Sequence, residues 1–157
     1  MLTARGPGAR PAFAARLSRN ELLAMLGGLM LAGGQLAPWY ESVSRLAQIA
    51  GFRGLGAHSA WQVHGVLRWV LLVMALAPFV LAYVVVRDHD LSWAPGELTA
   101  VLAIAAVGLV LYVGVVDRPG DPPGQIELAW GWYVALAGSL LMLAGARETS
   151  RGPRGTT

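Results

Sequence analysis

Four stretches of this chain contain no Asp, Glu, Lys, Arg or His: Leu22–Pro38, Trp69–Val86, Leu98–Val116 and Leu128–Ala146. Each approaches the ~20 residues an α-helix needs to cross a hydrocarbon layer of ~30 Å. The short segments between them imply antiparallel neighbours. The pattern predicts an all-α polytopic membrane protein, a four-transmembrane-helix up-down bundle with spans at about 20–38, 64–86, 97–116 and 126–146.

The polar segments supply the boundaries. Ser18-Arg19-Asn20-Glu21 has the spacing of a capping box, which starts the first helix at the membrane edge and makes Glu21 a cap rather than a transport carboxylate. Residues 1–19 read as a disordered cytoplasmic tail, and residues 147–157 as a second one. A basic region before an apolar one also fits a signal peptide, with Ala32-Gly33-Gly34 as a cleavage site; the later spans keep their directions either way. The outer loop, residues 39–63, is the largest connection. Within it Ser42–Ala50 is expected to form a short helix on the bilayer surface, because Val43, Leu46, Ala47, Ile49 and Ala50 fall roughly on one face. The remaining turns are Arg87–Gly96 and Asp117–Gln125, the second rich in Pro and Gly.

Charge sets an orientation. All twelve basic residues are Arg. Arg5, Arg10, Arg16, Arg19, Arg87, Arg147, Arg151 and Arg154 fall on the side of the two termini, against Arg45, Arg53 and Arg118 on the other. By the positive-inside rule this predicts a multi-pass protein of a bacterial plasma membrane with N- and C-termini cytoplasmic.

Composition narrows the classes. The chain has 157 residues, of which 55% are hydrophobic and 13% charged. Soluble domains usually carry about 25% charged residues. One membrane domain accounts for this length. The net charge of +3 suggests no nucleic-acid partner, since the Arg residues flank spans and form no basic stripe with interleaved aromatics. The absence of Cys removes disulfides, thiolate metal sites and Cys-based redox chemistry. The expected partner is the lipid bilayer, with a second copy or another membrane protein packed against the spans.

Helices in lipid associate through small residues that let backbones approach. Ala24, Gly28 and Ala32 in the first span, and Gly131, Ala135 and Ser139 in the fourth, recur every four residues and are the candidate packing stripes. Ala100, Ile104 and Gly108 make a weaker one in the third. Pro78 predicts a kink in the second span. Trp39, Trp61, Trp69, Trp130 and Trp132 lie near the outer face and only Trp93 near the inner, a bias that an outer cap folded over the helix ends would explain.

Candidate chemistry gathers at the same end: His64, Arg68, Asp117, Arg118 and Glu127. Arg68 lies about one turn beyond His64 on the same face, within the outer part of the second span. A charge there pairs or snorkels, and Glu127 or Asp117 is the expected partner. The preferred reading is an interfacial salt bridge that fixes helix orientation; the other is a site for an anionic lipid or small solute. No metal or cofactor is expected, since His58 and His64 lack a third ligand at recognisable spacing, and no His lies inside a span to hold haem. No phosphate loop, zinc-protease pair or nucleophile elbow is present, so no catalytic residue is assigned.

Three segments together resemble a group of small uncharacterised actinobacterial membrane proteins with four expected spans. They are Pro38-Trp39-Tyr40, Ser59-Ala60-Trp61-Gln62, and Asp121-Pro122-Pro123-Gly124 followed by Trp130-Gly131. That group has an acidic residue near the start of the second span, where this chain offers Arg68, and the resemblance implies no activity. The sequence therefore points to a structural or accessory membrane subunit acting through helix packing, with a small transporter or channel subunit as the alternative and a lipid-binding protein behind both.

Overall fold

The computed structural model describes residues 18–86 and 95–149. Both tails, and the turn carrying Asp88, His89, Asp90 and Trp93, lie outside these residues. The chain is mostly helical, 69%, but not all-α. Its order is α1 (Arg19–Leu36), β1 (Pro38–Ser42), β2 (Gln48–Ile49), β3 (Phe52–Arg53), β4 (Gly56–Ser59), α2 (Ala60–Val63), α3 (Leu67–Val86), α4 (Pro95–Leu111), β5 (Ile126–Leu128) and α5 (Trp130–Thr149). A π-helical turn, Tyr112–Val116, continues α4, and a 3₁₀ turn, Pro123–Gln125, precedes β5.

Among the described residues two helices, not four, are long and apolar enough by themselves to cross a membrane: Leu67–Val84 in α3, and Gly96–Val116 across α4 and its π turn. Only 28% and 33% of these segments are buried within the protein, so most of their apolar surface faces outward. α1 and α5 have 18 and 20 residues. Arg19, Asn20, Glu21 and Gln35 dilute the apolar character of α1; glycines, Ser139 and the terminal Arg147 dilute that of α5. α1 opens as its sequence dictates, with the Ser18 hydroxyl accepting from Glu21 N at 3.2 Å and the Glu21 carboxylate accepting from Ser18 N at 2.7 Å. α3 runs through Pro78 as one helix.

α1 and α5 form the closest pair in the bundle. Asn20 and Ala24 face Gly145, Gly27 faces Gly138 and Met142, Leu31 faces Gly138, Gly34 faces Ala135, and Ala37 and Pro38 face Gly131. The pairing is antiparallel and the backbones touch. A Cβ on Gly138 would stand 2.6 Å from Leu31 N, and one on Gly34 would stand 2.8 Å from Ala135 N. The line of contact on α1 is therefore Ala24, Gly27, Leu31 and Gly34, and that on α5 is Gly131, Ala135, Gly138, Met142 and Gly145.

These positions alternate steps of three and four residues, whereas the stripes read from the sequence step uniformly by four. Four residues turn a helix through about 400°, so such a stripe drifts about 40° per step. Alternating steps average the 3.5 residues that keep one seam facing a partner. Ala24, Gly131 and Ala135 lie on the α1–α5 line. Gly28 turns instead toward α3, where a Cβ would stand 3.0 Å from Pro78 Cγ. Ala32 is half-buried against the core, and Ser139 is buried with its hydroxyl donating to the Leu136 carbonyl at 2.8 Å.

The outer loop is a cap built of strands. β1 is the central strand of an antiparallel sheet ordered β4-β1-β5. Tyr40 pairs with His58 on one side and Leu128 on the other; Glu41 pairs with Ala57 and Glu127. The segment expected to be a surface helix instead holds the end of β1, a turn, and β2. Ala50 and Gly51, both at positive φ (46° and 89°), turn β2 into β3. Positive φ at both central positions is the geometry that a two-residue hairpin requires. Apolar residues in this loop thus find a sheet and its underlying helix ends to cover, which a lone surface helix would not provide.

Gly138→Ala places a methyl against rigid backbone and is expected to cost about 1–3 kcal/mol through helix separation. Gly33→Ala, at an exposed α1 position with nothing within 4 Å, is expected to gain up to about 1 kcal/mol from helix propensity. Thermal melting of both variants in detergent micelles checks the pair.

Candidate functional site at the cap junction

The sheet lies where four helix ends meet. α1 runs into β1, β4 leads through α2 into α3, β5 leads into α5, and the π turn that ends α4 touches β1. Between sheet and helices sits a buried aromatic and polar cluster. A bulge in β1, where the pairing skips from Pro38↔Ser59 to Tyr40↔His58, leaves Trp39 without a partner residue. The bulge breaks the alternation of a strand, so Trp39 and Tyr40 are both fully buried. Trp39 Nε1 donates to the Gly34 carbonyl at 2.7 Å, occupying an acceptor at the end of α1.

Tyr40 is the hub. Its hydroxyl lies 2.9 Å from His64 Nε2 and 3.2 Å from the Val113 carbonyl. A phenol has one proton; with it donated to Val113, His64 must donate through Nε2. The π turn makes this possible. Asp117 N donates to the Tyr112 carbonyl, five residues back, and leaves the Val113 carbonyl to accept from Tyr40. Trp132 closes the cluster: its Nε1 donates to the Val110 carbonyl at 2.9 Å, and its indole lies over Gly114, where a Cβ would overlap the ring. Trp39, Tyr40 and His64 meet edge to face at 5.7–6.3 Å between ring centres.

Burial holds the His64 imidazole below its ordinary value, with the Asp117 carboxylate acting in the opposite direction. Burial also holds the Tyr40 phenol far above its usual range; Arg118 pulls it down and Asp117 adds to the rise. Both groups are neutral at pH 7, and the cluster is a network of neutral hydrogen bonds rather than an ion pair.

The polar residues singled out in the sequence separate in space. His64 enters this cluster. Asp117 and Glu127 are exposed. Glu127 stands on the sheet directly opposite Glu41. Arg118 ties the end of α4 to the sheet, donating through Nε to the Gly114 carbonyl at 3.2 Å and through Nη1 to the Ile126 carbonyl at 3.1 Å. Arg68 takes neither of the expected carboxylates. Its Nη1 donates to the Trp61 carbonyl at 3.0 Å, and its guanidinium lies 5.3 Å from the Trp61 ring centre and 5.6 Å from that of Trp69. A carbonyl of the short helix α2 and two aromatic rings take the place of the expected carboxylate.

Tyr40, Trp39 and the Ser59–Gln62 cap of α2 were the parts missed in sequence. Ser59 and Gln62 form a second capping box, with bonds of 3.1 and 3.3 Å. Its Ser-x-x-Gln signal was legible. Tyr40 was not, because its partners lie 24 and 73 residues away. Gln35 is also buried, 1% exposed, and neither of its amide atoms has a hydrogen-bond partner. Among the described residues no group of three His, Cys, Asp or Glu is placed to hold a metal.

Because the folded His64 binds a proton less readily than the unfolded one, the unfolded chain takes up more protons as pH falls below about 6.5, and stability falls with it until the folded imidazole titrates. Melting temperature is expected to drop as pH is lowered below about 6.5, and His64→Gln is expected to flatten that drop. Tyr40→Phe orphans the Val113 carbonyl and is expected to cost about 1–3 kcal/mol, read by denaturation at pH 7.5.

No family model matches the chain, and neither a curated protein nor a solved structure is similar to it.

Proposed function

We propose that the protein is a four-span integral membrane protein, both termini cytoplasmic, that serves as a structural or accessory subunit through helix packing. The observation that carries this reading is the outward face of the two helices that are not apolar enough on their own. The exposed positions of α1 after its first turn are Leu22, Leu23, Leu26, Leu29, Gly33 and Leu36, with Leu29 61% exposed. Those of α5 before Arg147 are Trp130, Tyr133, Ala137, Leu140 and Ala144. A helix on the surface of a soluble bundle turns charged and polar residues outward. Here the polar and small residues of α1 and α5 are spent inside, against one another, and the large apolar ones face out. Lipid is the environment in which that arrangement costs nothing.

The same reasoning favours packing over transport. The buried polar side chains of the described helices are Gln35, Thr99 and Ser139. They lie near the cap end of α1, at the opposite end of α4, and midway along α5, and so do not line a continuous polar path. Proton- or ion-coupled carriers place an ionisable group deep within a span; between their terminal turns these helices have none.

The natural absence of Cys makes the topology directly readable. Single Cys variants at Thr3, Thr156 and Arg53 are expected to label with a membrane-impermeant maleimide as follows: the first two only after permeabilisation, Arg53→Cys in intact cells. Extraction of the protein by alkaline carbonate, or labelling of Thr156→Cys from outside, counts against the reading. Proteoliposomes holding the purified protein are expected to show no solute flux above empty liposomes.

A further inference from the structure

Arg68 is bonded in a way that leaves most of a guanidinium unspent. A guanidinium has five N–H donors. The structure gives Arg68 one hydrogen bond, to the Trp61 carbonyl, and no carboxylate partner among the described residues. Its Nε is buried and has no acceptor. Arg118, a few ångströms of chain beyond the π turn, shows the contrast: two carbonyls take its Nε and Nη1.

Position adds to the asymmetry. Arg68 is the second residue of α3, and the apolar segment fit to cross a membrane begins at Leu67. Trp61 and Trp69 flank the guanidinium, their rings 5.1 Å apart and edge to face, and Trp69 is 53% exposed. Tryptophan at a helix end marks the headgroup level of a bilayer. Trp130, Tyr133 and Tyr112 are exposed near the same end of the neighbouring helices α5 and α4. Arg68 therefore stands at the boundary, half-buried, with two aromatic rings packed against it and no carboxylate partner among the described residues. The anion most abundant at that depth is the phosphodiester of a phospholipid. Its two non-bridging oxygens match a planar guanidinium in pairs, which a compact ammonium cannot do.

We propose that Arg68, packed against the paired rings of Trp61 and Trp69, binds the phosphodiester of a membrane phospholipid. Trp61 and Trp69 are positioning residues: their rings pack against the guanidinium, and the Nη hydrogens not spent on the Trp61 carbonyl are left for a ligand. The proposal rests on α3 being embedded in a membrane. Carbonate extraction tests that premise separately, so a protein that stays in the membrane and fails the lipid test sinks this proposal alone.

The test uses the full-length protein purified in a maltoside detergent and titrated with dioleoyl phosphatidylglycerol, with dioleoylglycerol, and with inorganic phosphate. Tryptophan emission and melting temperature are read together. Phosphatidylglycerol is expected to shift both saturably, and dioleoylglycerol and inorganic phosphate neither. Arg68→Gln is expected to weaken the apparent affinity at least roughly tenfold, and Arg68→Lys by less, because charge survives and the paired geometry does not. Arg53→Gln, on the hairpin, is expected to leave it unchanged. Equal binding by dioleoylglycerol, or undiminished binding by Arg68→Gln, overturns the proposal. A full response to inorganic phosphate alone overturns the lipid assignment in favour of a free anion. Should Arg68→Gln fail to fold, the Lys variant decides, and wild-type affinity there is the overturning result.

Discussion

The backbone contact between α1 and α5 is the constraint on which the rest of the molecule depends. It joins the first and last helices of the described chain and so closes the bundle. It also fixes register at the cap. With Gly131 against Ala37 and Pro38, the chain leaving α1 and the chain entering α5 emerge side by side. β1 and β5 then pair because their strands begin from adjacent points, and Ala129 N reaches the Trp39 carbonyl at 2.8 Å. A bulky residue at Gly138 or Gly34 would move the helices apart and pull the two strands out of register with them.

The cap in turn completes what the helix ends leave open. Helices end with carbonyls that no intrahelical donor reaches. Arg68 donates to one in α2, and Trp39 adds a second donor to the Gly34 carbonyl of α1, which also accepts from Ala37 N at 3.2 Å. Tyr40 and Arg118 take the carbonyls that the π turn frees on Val113 and Gly114. Trp39 and Tyr40 come from the central strand β1, Arg68 from the start of α3 and Arg118 from the segment after the π turn. The five tryptophans of the described residues divide accordingly: Trp39 and Trp132 donate hydrogen bonds within the cap junction, Trp61 and Trp69 pack against Arg68, and Trp130 is exposed.

The electrostatic character of the junction follows from the same burial. The residues that looked like a charged cluster in the sequence divide into exposed carboxylates on the rim, an arginine spent on carbonyls, and a neutral histidine inside. Asp117 is near enough to act on His64 and Tyr40 but is not bonded to either. Burial outweighs it, and the imidazole stays neutral. What remains charged with no carboxylate partner among the described residues is Arg68, at the start of α3.

Much of the helical layout was legible in the sequence because hydrophobic runs and caps are local. The second and third apolar stretches fall within α3 and α4 with its π turn, the first overruns α1 into β1 and the fourth begins in β5 before α5, and the Ser18–Glu21 box opens α1 where its spacing placed it. The outer loop was not legible in the same way. Its apolar residues fit a helical face as well as a strand, and what selects the strand is pairing: β2 with β3 across a tight turn, and β1 with both β4 and the distant β5. The packing stripes show the same division: small residues at four-residue intervals could be read off, but which glycines carry the contact depends on the 3.5-residue seam set by a partner helix. Tyr40, His64 and the carbonyl of Val113 meet for a reason no local pattern contains. Sequence alone determined where helices form, because their hydrogen bonds close within four residues. Tertiary structure decided which faces meet and which charge is left over, because those depend on groups brought together from distant parts of the chain.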